Sequence, residues 1–355
     1  MKTTYLFAAA LAVITTLLLQ SCEKWDGTVQ NLEEATMYLN ISSAMTKASG
    51  AGHGVQEDDN TVNTLEVFVF RTDGEDAGTL DVYKKFEGDA LGDLTNLEVK
   101  STTGAKSIYV IANSHKESFA SIRLLSQFED ELSLLQKESA RSFTMTGTAD
   151  VTLTTVTPVS VTLQRLVARI GVGSIKTNFS GTPYEGTLLK NVKLYLLNVN
   201  GDKTYSANTA PASPLVLNLD APVESDITGC VMTNMIYEEL GSDVSEAAYT
   251  TKHYFYCYEN MIAAESGNNY FTRLVLQADL GGKTYYYPIN VNREEYGYVA
   301  ENGHKGVKRN TAYDFDIVIS RPGSLDPNEP VQYGALQVTM NVADWTIIPK
   351  ASIIF

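Results

Sequence analysis

Ala35-Thr36-Met37-Tyr38-Leu39-Asn40-Ile41 sets an apolar side chain at every odd position and a polar or hydroxyl-bearing one at every even position. Successive side chains of a strand point to opposite faces, so this stretch predicts a strand with one buried face. The same chemistry recurs downstream. Thr64–Phe70, Lys106–Ala112, Val159–Leu163, Val167–Val172, Val192–Leu197, Tyr254–Tyr258, Phe271–Ala278 and Thr284–Val291 are rich in β-branched and aromatic residues, and turn residues separate them. Asp279-Leu280-Gly281-Gly282-Lys283 predicts a hairpin loop between the last two. The chain holds 20 tyrosines, a residue suited to half-buried strands. One helix is expected, over residues 115–139. There Phe119, Ile122, Leu125, Phe128, Leu132 and Leu135 recur every three or four positions. A single helix on antiparallel sheets predicts a mainly β protein of two sandwich-like domains with a helical insertion in the first.

The N-terminus predicts an export signal. Lys2 precedes an apolar run over residues 5–19, of signal-peptide length and shorter than a spanning helix. Leu19-Gln20-Ser21-Cys22 follows as a lipobox, with Leu three residues before the cut, a small residue just before it and Cys just after. Residues 1–21 are therefore expected to be removed and Cys22 acylated. Each buried methylene of an acyl chain contributes about 0.8 kcal/mol, and two or more chains anchor firmly. Removal of the signal leaves roughly 330 residues, enough for two domains.

The composition excludes several function classes. The chain carries 42 Asp+Glu against 27 Lys+Arg, which argues against binding nucleic acid or other polyanions. His53, His115, His253 and His304 are far apart in sequence, and no CxxC or Cys/His metal spacing occurs, so no metal or cofactor is expected. Glu294-Glu295 is a pair of adjacent carboxylates, which on a strand point to opposite faces and form no glycosidase pair. No Ser/His/Asp constellation or phosphate loop is recognisable, and no enzyme activity is expected. Cys230 and Cys257 are left as either a disulfide or two thiols, since spacing does not fix their geometry.

Two segments stand apart. Residues 42–60 form a polar loop with Gly50, Gly52, Gly54 and three acidic residues, and Lys47 is the only Lys or Arg between Lys24 and Arg71. An isolated basic residue in a Gly/Ser-rich loop is a favoured protease site, though an uncut, solvated lysine is the simpler reading of the residues alone. At the other end, Leu336–Val342 predicts a strand, and the chain then runs Thr346-Ile347-Ile348-Pro349-Lys350-Ala351-Ser352-Ile353-Ile354-Phe355. Chain ends are usually polar and frayed. An apolar end is either tucked into its own sheet or reserved for a partner. Pro349 lacks a backbone donor and splits the tail, and Ala351–Phe355 is not cleanly alternating, which specifies register weakly.

Taken in order, these residues resemble a known family. The lipobox is followed by Leu65–Phe70, Ser107–Asn113, Met145-Thr146-Gly147, Leu163–Ile170, Tyr256–Asn260, Thr272–Leu276, Lys283–Ile289, Arg309–Tyr313, Arg321–Ser324 and Val342–Trp345. Together they resemble the FimA/Mfa-type fimbrillins of Bacteroidetes, the type V pilins. The resemblance implies transthyretin-like β-sandwich domains, here residues 35–173 and 174–355, after a linker over 22–34. It implies a structural subunit of a surface fimbria that supports adhesion or biofilm formation. The precursor is lipidated at Cys22 and held in the outer membrane, then moves into the extracellular filament. A trypsin-like surface protease cuts between Lys47 and Ala48, where Lys replaces the arginine that suits an arginine-specific protease. The first strand, with Ala35, Met37, Leu39 and Ile41, is lost. Ile347, Ile348, Ile353, Ile354 and Phe355 of another subunit then fill its place. Other fimbrial subunits, membrane lipid, the protease and host or bacterial surface ligands are the implied partners. Two alternatives stand beside this: a tip or anchor accessory subunit, and a surface lipoprotein that stacks glycans on Trp25 or Tyr285-Tyr286-Tyr287.

Cys22→Ser is expected to abolish palmitate labelling and outer-membrane sorting in cells. Unchanged labelling of that variant contradicts the lipobox assignment.

Overall fold

In the computed structural model the alternating stretch 35–41 lies inside strand β1 (Glu34–Ser43). The structure describes residues 33–43, 61–140, 142–207, 216–217, 233–267, 269–293, 303–329, 331 and 336–344. Seven further strands fill the first half: β2 (Thr64–Arg71), β3 (Leu80–Glu87), β4 (Leu97–Thr102), β5 (Gly104–Ala112), β6 (Leu132–Leu134), β7 (Met145–Leu153) and β8 (Val156–Arg165). The second half holds β9 (Val167–Thr177), β10 (Lys190–Leu197), β11 (Val199–Asn200), β12 (Asp202–Thr204), β13 (Val216–Leu217) and β14 (Tyr237–Glu239). It closes with β15 (His253–Tyr258), β16 (Arg273–Leu280), β17 (Lys283–Asn290), β18 (Thr311–Ile319) and β19 (Leu336–Asp344).

The first array runs β3-β2-β5-β7-β8-β1-β4. β7 and β8 pair only at Met145↔Arg165 and Thr146↔Gln164, so the sheet folds over at that seam into two layers. Val67 and Val69 of β2 and Ile108 and Val110 of β5 share one core with Val99 of β4 and Val159, Val161 and Leu163 of β8. Gly147 sits where the layers approach: a Cβ there would collide with the Thr162 carbonyl oxygen and the Val161 side chain.

The second half repeats this plan. β14-β10-β16-β17 matches β3-β2-β5-β7 in order, and β15-β9-β18 matches β4-β1-β8. The directions agree as well. β1 is parallel to β8 and antiparallel to β4, while β9 is parallel to β18 and antiparallel to β15. β19 is the addition, antiparallel to β18 at the end of its sheet. Leu280 pairs with Lys283 across Gly281 and Gly282, both at positive φ, which is the tight hairpin expected from the sequence. The expected domain boundary at 173/174 falls inside β9. Strand pairing changes over at Leu166, and residues 34–355 form one compact unit.

The helix expected over 115–139 is a misreading. Only α1 (Leu125–Glu129) is α-helical there, followed by β6 and a single 3-10 turn at Leu135–Lys137. Phe119, Ile122, Phe128 and Leu135 are buried as the spacing suggests, but in an irregular chain. Ser114 and Ser118 accept bonds from the backbone N–H groups of Lys116 (3.2 Å) and Ala120 (3.1 Å), which diverts the backbone from helical pairing. β6 instead pairs with β12 in the second half.

Several stretches that carried the family resemblance meet where the halves join. The Arg309 guanidinium donates to the Arg165 (3.0 Å) and Gln164 (2.6 Å) carbonyls and to Thr146 Oγ1 (3.1 Å). Asn310 Oδ1 accepts from the Arg165 backbone and guanidinium, both at 3.3 Å. The Tyr258 hydroxyl donates to Glu138 Oε1 at 2.8 Å, tying β15 to the 113–144 segment. These buried polar groups satisfy one another across the joint, which fixes its geometry.

Gly147→Ala is expected to destabilise the protein by about 1–3 kcal/mol through overpacking at the seam. A urea midpoint unchanged from wild type contradicts the close approach.

Candidate functional site

β1 is an interior strand. It pairs with β8 from Thr36↔Val156 to Ser43↔Leu163, and with β4 from Glu34↔Thr102 to Leu39↔Leu97. Ala35, Met37 and Leu39 point into the core and are buried, while Ile41 is half-buried near the strand's end. The ends are tied by backbone bonds, Thr36 N to Thr155 O and Ile41 N to Leu94 O, both 2.9 Å. On the outer face Lys100 Nζ donates to Thr36 Oγ1 (3.1 Å) and the Asn96 amide donates to Asn40 Oδ1 (3.0 Å).

β1 thus fills a groove. Its walls are β8 and β4, and Val67, Val69, Ile108 and Val110 line the facing layer. Burial of Met37 and Leu39 contributes roughly 1.5–3 kcal/mol each, against about 5–15 kcal/mol for a whole domain. Residues 44–63 connect β1 to β2, and Asn113 anchors the far end of that connection. Its Oδ1 accepts from the Asn63 amide (2.7 Å) and its Nδ2 donates to the Thr61 carbonyl (2.7 Å).

The outer wall is held from behind. Asp81 of β3 accepts from Ser101 Oγ (2.6 Å), the Thr102 amide (3.0 Å) and the Thr102 hydroxyl (2.9 Å). It also pairs with Arg71 (2.8 Å) and Lys106 (3.5 Å). Burial alone would raise the Asp81 pKa. Hydrogen bonds from Ser101, Thr102 and Arg71 outweigh it and hold the carboxyl at about 2. Neither β4 nor Asp81 was singled out from the sequence. Leu97 and Val99 alternate with Glu98 and Lys100, which is a legible strand signal, but nothing in the chain order marks Asp81 as their partner.

The other expected residues are placed as follows. Cys22, Trp25, Lys47, Ala48, Cys230, Glu294 and Glu295 lie outside the described residues, as do Ile347, Ile348, Ile353, Ile354 and Phe355. Cys257 is a buried free thiol on β15, pushed up to about 12 by burial. Tyr287 is buried and donates to the Arg321 carbonyl (3.0 Å), so of the three tyrosines it faces the core. His253 lies 2.8 Å from Glu238, and His304 shares a hydrogen bond with Tyr313 (2.9 Å). Among the described residues no group of three His, Cys, Asp or Glu side chains could hold a metal ion.

The groove and its filling strand open the segment that a known family shares. The family model described as major fimbrial subunit protein (FimA) matches residues 35–188, beginning at Ala35 in β1. Over that segment the chain resembles the fimbrillins. This family supplies structural subunits of surface fimbriae and is not an enzyme family. A curated relative, the major fimbrium subunit FimA type-2 of Porphyromonas gingivalis, is 22% identical over 411 residues, covering 98% of each chain. Solved structures share the fold. A candidate cell-adhesion protein from Parabacteroides distasonis matches with TM-score 0.63 at 18% identity, over 89% of this chain and 98% of that one. A fimbrilin from Porphyromonas gingivalis W83 matches with TM-score 0.60 at 19% identity, over 88% and 98%. In this chain β1 occupies an interior place in the first array.

Leu39→Ala in the full-length protein is expected to cost about 2–5 kcal/mol, as for other buried leucines. An unchanged urea midpoint contradicts the structural role of the β1 row.

Proposed function

We propose that this chain is a fimbrillin, a stalk-forming fimbrial subunit that polymerises by exchanging its first strand. The carrying observation is that β1 fills an interior groove yet is joined covalently to the rest of its array through the long connection 44–63. Export as a lipoprotein through Cys22 brings the folded precursor to the outer membrane. A trypsin-like protease cuts after Lys47, and β2 onward keeps every strand of the array except β1. Loss of Met37 and Leu39 removes burial worth a large share of a domain's stability. It also frees the backbone edges of β8 and β4, which then template an incoming strand.

The tail of another subunit suits that groove. β1 buries every second residue. Read at the same spacing, Ile347, Pro349, Ala351, Ile353 and Phe355 form one wholly apolar row. Thr346, Ile348, Lys350, Ser352 and Ile354 form the other row, with three polar members. A step of two therefore supplies the alternation that the consecutive apolar residues Ile353-Ile354-Phe355 obscure. A groove in one subunit filled by the tail of another makes a head-to-tail contact, and such contacts generate filaments when the rotation does not close. The two arrays act as two sandwich domains joined at the Arg165–Arg309 contact, and the filament serves adhesion or biofilm formation.

Lys47→Gln is expected to leave full-length lipidated monomers on cells. Deletion of residues 346–355 is expected to leave the precursor folded, with an unchanged urea midpoint, and to stop polymerisation after cutting. If the truncated chain still builds filaments, or if the deletion unfolds the precursor, the tail is an ordinary core strand.

A further inference from the structure

We propose that Asp81 is a positioning residue for strand exchange: it holds β4 against the first array while β1 is absent, so that the groove stays one strand wide. This rests on the reading that β1 leaves. The bonding pattern carries it. β4 ends the strand order, and among the described residues β1 is its only ladder partner. Without β1, the wall opposite β8 has no strand beside it. Chain continuity through Thr103 ties the end of β4 to β5 but does not fix its direction.

The Asp81 carboxylate supplies the missing constraint. It accepts from the amide and hydroxyl of Thr102 and from Ser101, the last two residues of β4. It is itself fixed by Arg71 at the end of β2 and Lys106 on β5. None of these partners lies on β1, so the route from β4 through Asp81 to β2 and β5 survives the loss of that strand. The side chains of Asp81 and Lys106 are 2% and 1% exposed, which shields the cluster from water and strengthens it. Near the start of β4, Lys84 Nζ adds a bond to the Glu98 carbonyl at 2.6 Å. A wall held only by the burial of Leu97 and Val99 is expected to fold inward over the vacated core and close the groove.

The test is native-state hydrogen exchange on the full-length protein, with Asp81→Asn and Ser101→Ala beside wild type. A second arm measures capture of a synthetic peptide of residues 346–355 after proteolytic processing. In wild type, the Thr102 amide is expected to exchange at least tenfold more slowly than the β1 amides, because β1 opens and β4 stays. In Asp81→Asn that ratio is expected to fall to within about twofold, and peptide capture to slow at least tenfold. Ser101→Ala keeps the Arg71 and Lys106 pairing and is expected to fall between the two; it carries the comparison if Asp81→Asn does not fold. A purely structural role lowers protection of all amides together and leaves the ratio unchanged, and that result overturns the proposal. So does a wild-type protein in which Thr102 exchanges together with β1. If wild type holds the ratio but captures no peptide, strand exchange fails while the clamp stands.

Discussion

The alternating row of β1 between β8 and β4 is the interaction on which the first array depends. It joins the two strands that form one layer, and it fills the core between that layer and β2 and β5. Among the described residues neither neighbour has a full replacement: β8 meets β7 at only two residue positions, and β4 has no other ladder. The same place in the second array is taken by β9, which follows β8 after the single residue Leu166. One plan is therefore used twice with opposite consequences. β9 is embedded in continuous chain, whereas β1 is tethered to β2 by a long connection. Backbone groups at an unfilled strand position are costly to leave unpaired, so an array without β1 has a strong preference for a substitute strand.

Under the proposed strand exchange, a filament also needs a subunit whose two halves hold a fixed geometry. The joint between the halves meets that need with buried, mutually bonded groups rather than apolar contact alone. Arg309 caps the carbonyls at the end of β8, and Asn310 holds the start of β9 through a 2.9 Å bond from its amide to the Val167 carbonyl. β6 and β12 add a strand pair across the same junction. The stretches Leu163–Ile170, Tyr256–Asn260 and Arg309–Tyr313 thus have a shared physical reason for their composition: they build the joint and its immediate surroundings.

Much of this was legible in the chain. The period-two row at 35–41, the Gly281-Gly282 turn and the strands around Val67, Ile108 and Leu274 follow from alternation and turn chemistry, which are local properties. The helix over 115–139 failed for a local reason too. Apolar residues at a spacing of three to four satisfied the helical template, but serine side chains bonded nearby amides and the segment packed as loop and strand on a distant partner. The groove itself was not legible, because it depends on β1 lying parallel to β8 across more than a hundred residues. Asp81 was invisible for the same reason: a lone aspartate on an unremarked strand becomes a hub only when β2, β4 and β5 converge on it.

The most direct measurement is the N-terminal residue of the subunit in filaments purified from cells, read by sequencing or intact mass. The expected first residue is Ala48, with β1 absent from the mature subunit. Recovery of peptides spanning Met37 through Gln56 in stoichiometric amount would show that β1 is retained, and strand exchange at this groove would then be wrong.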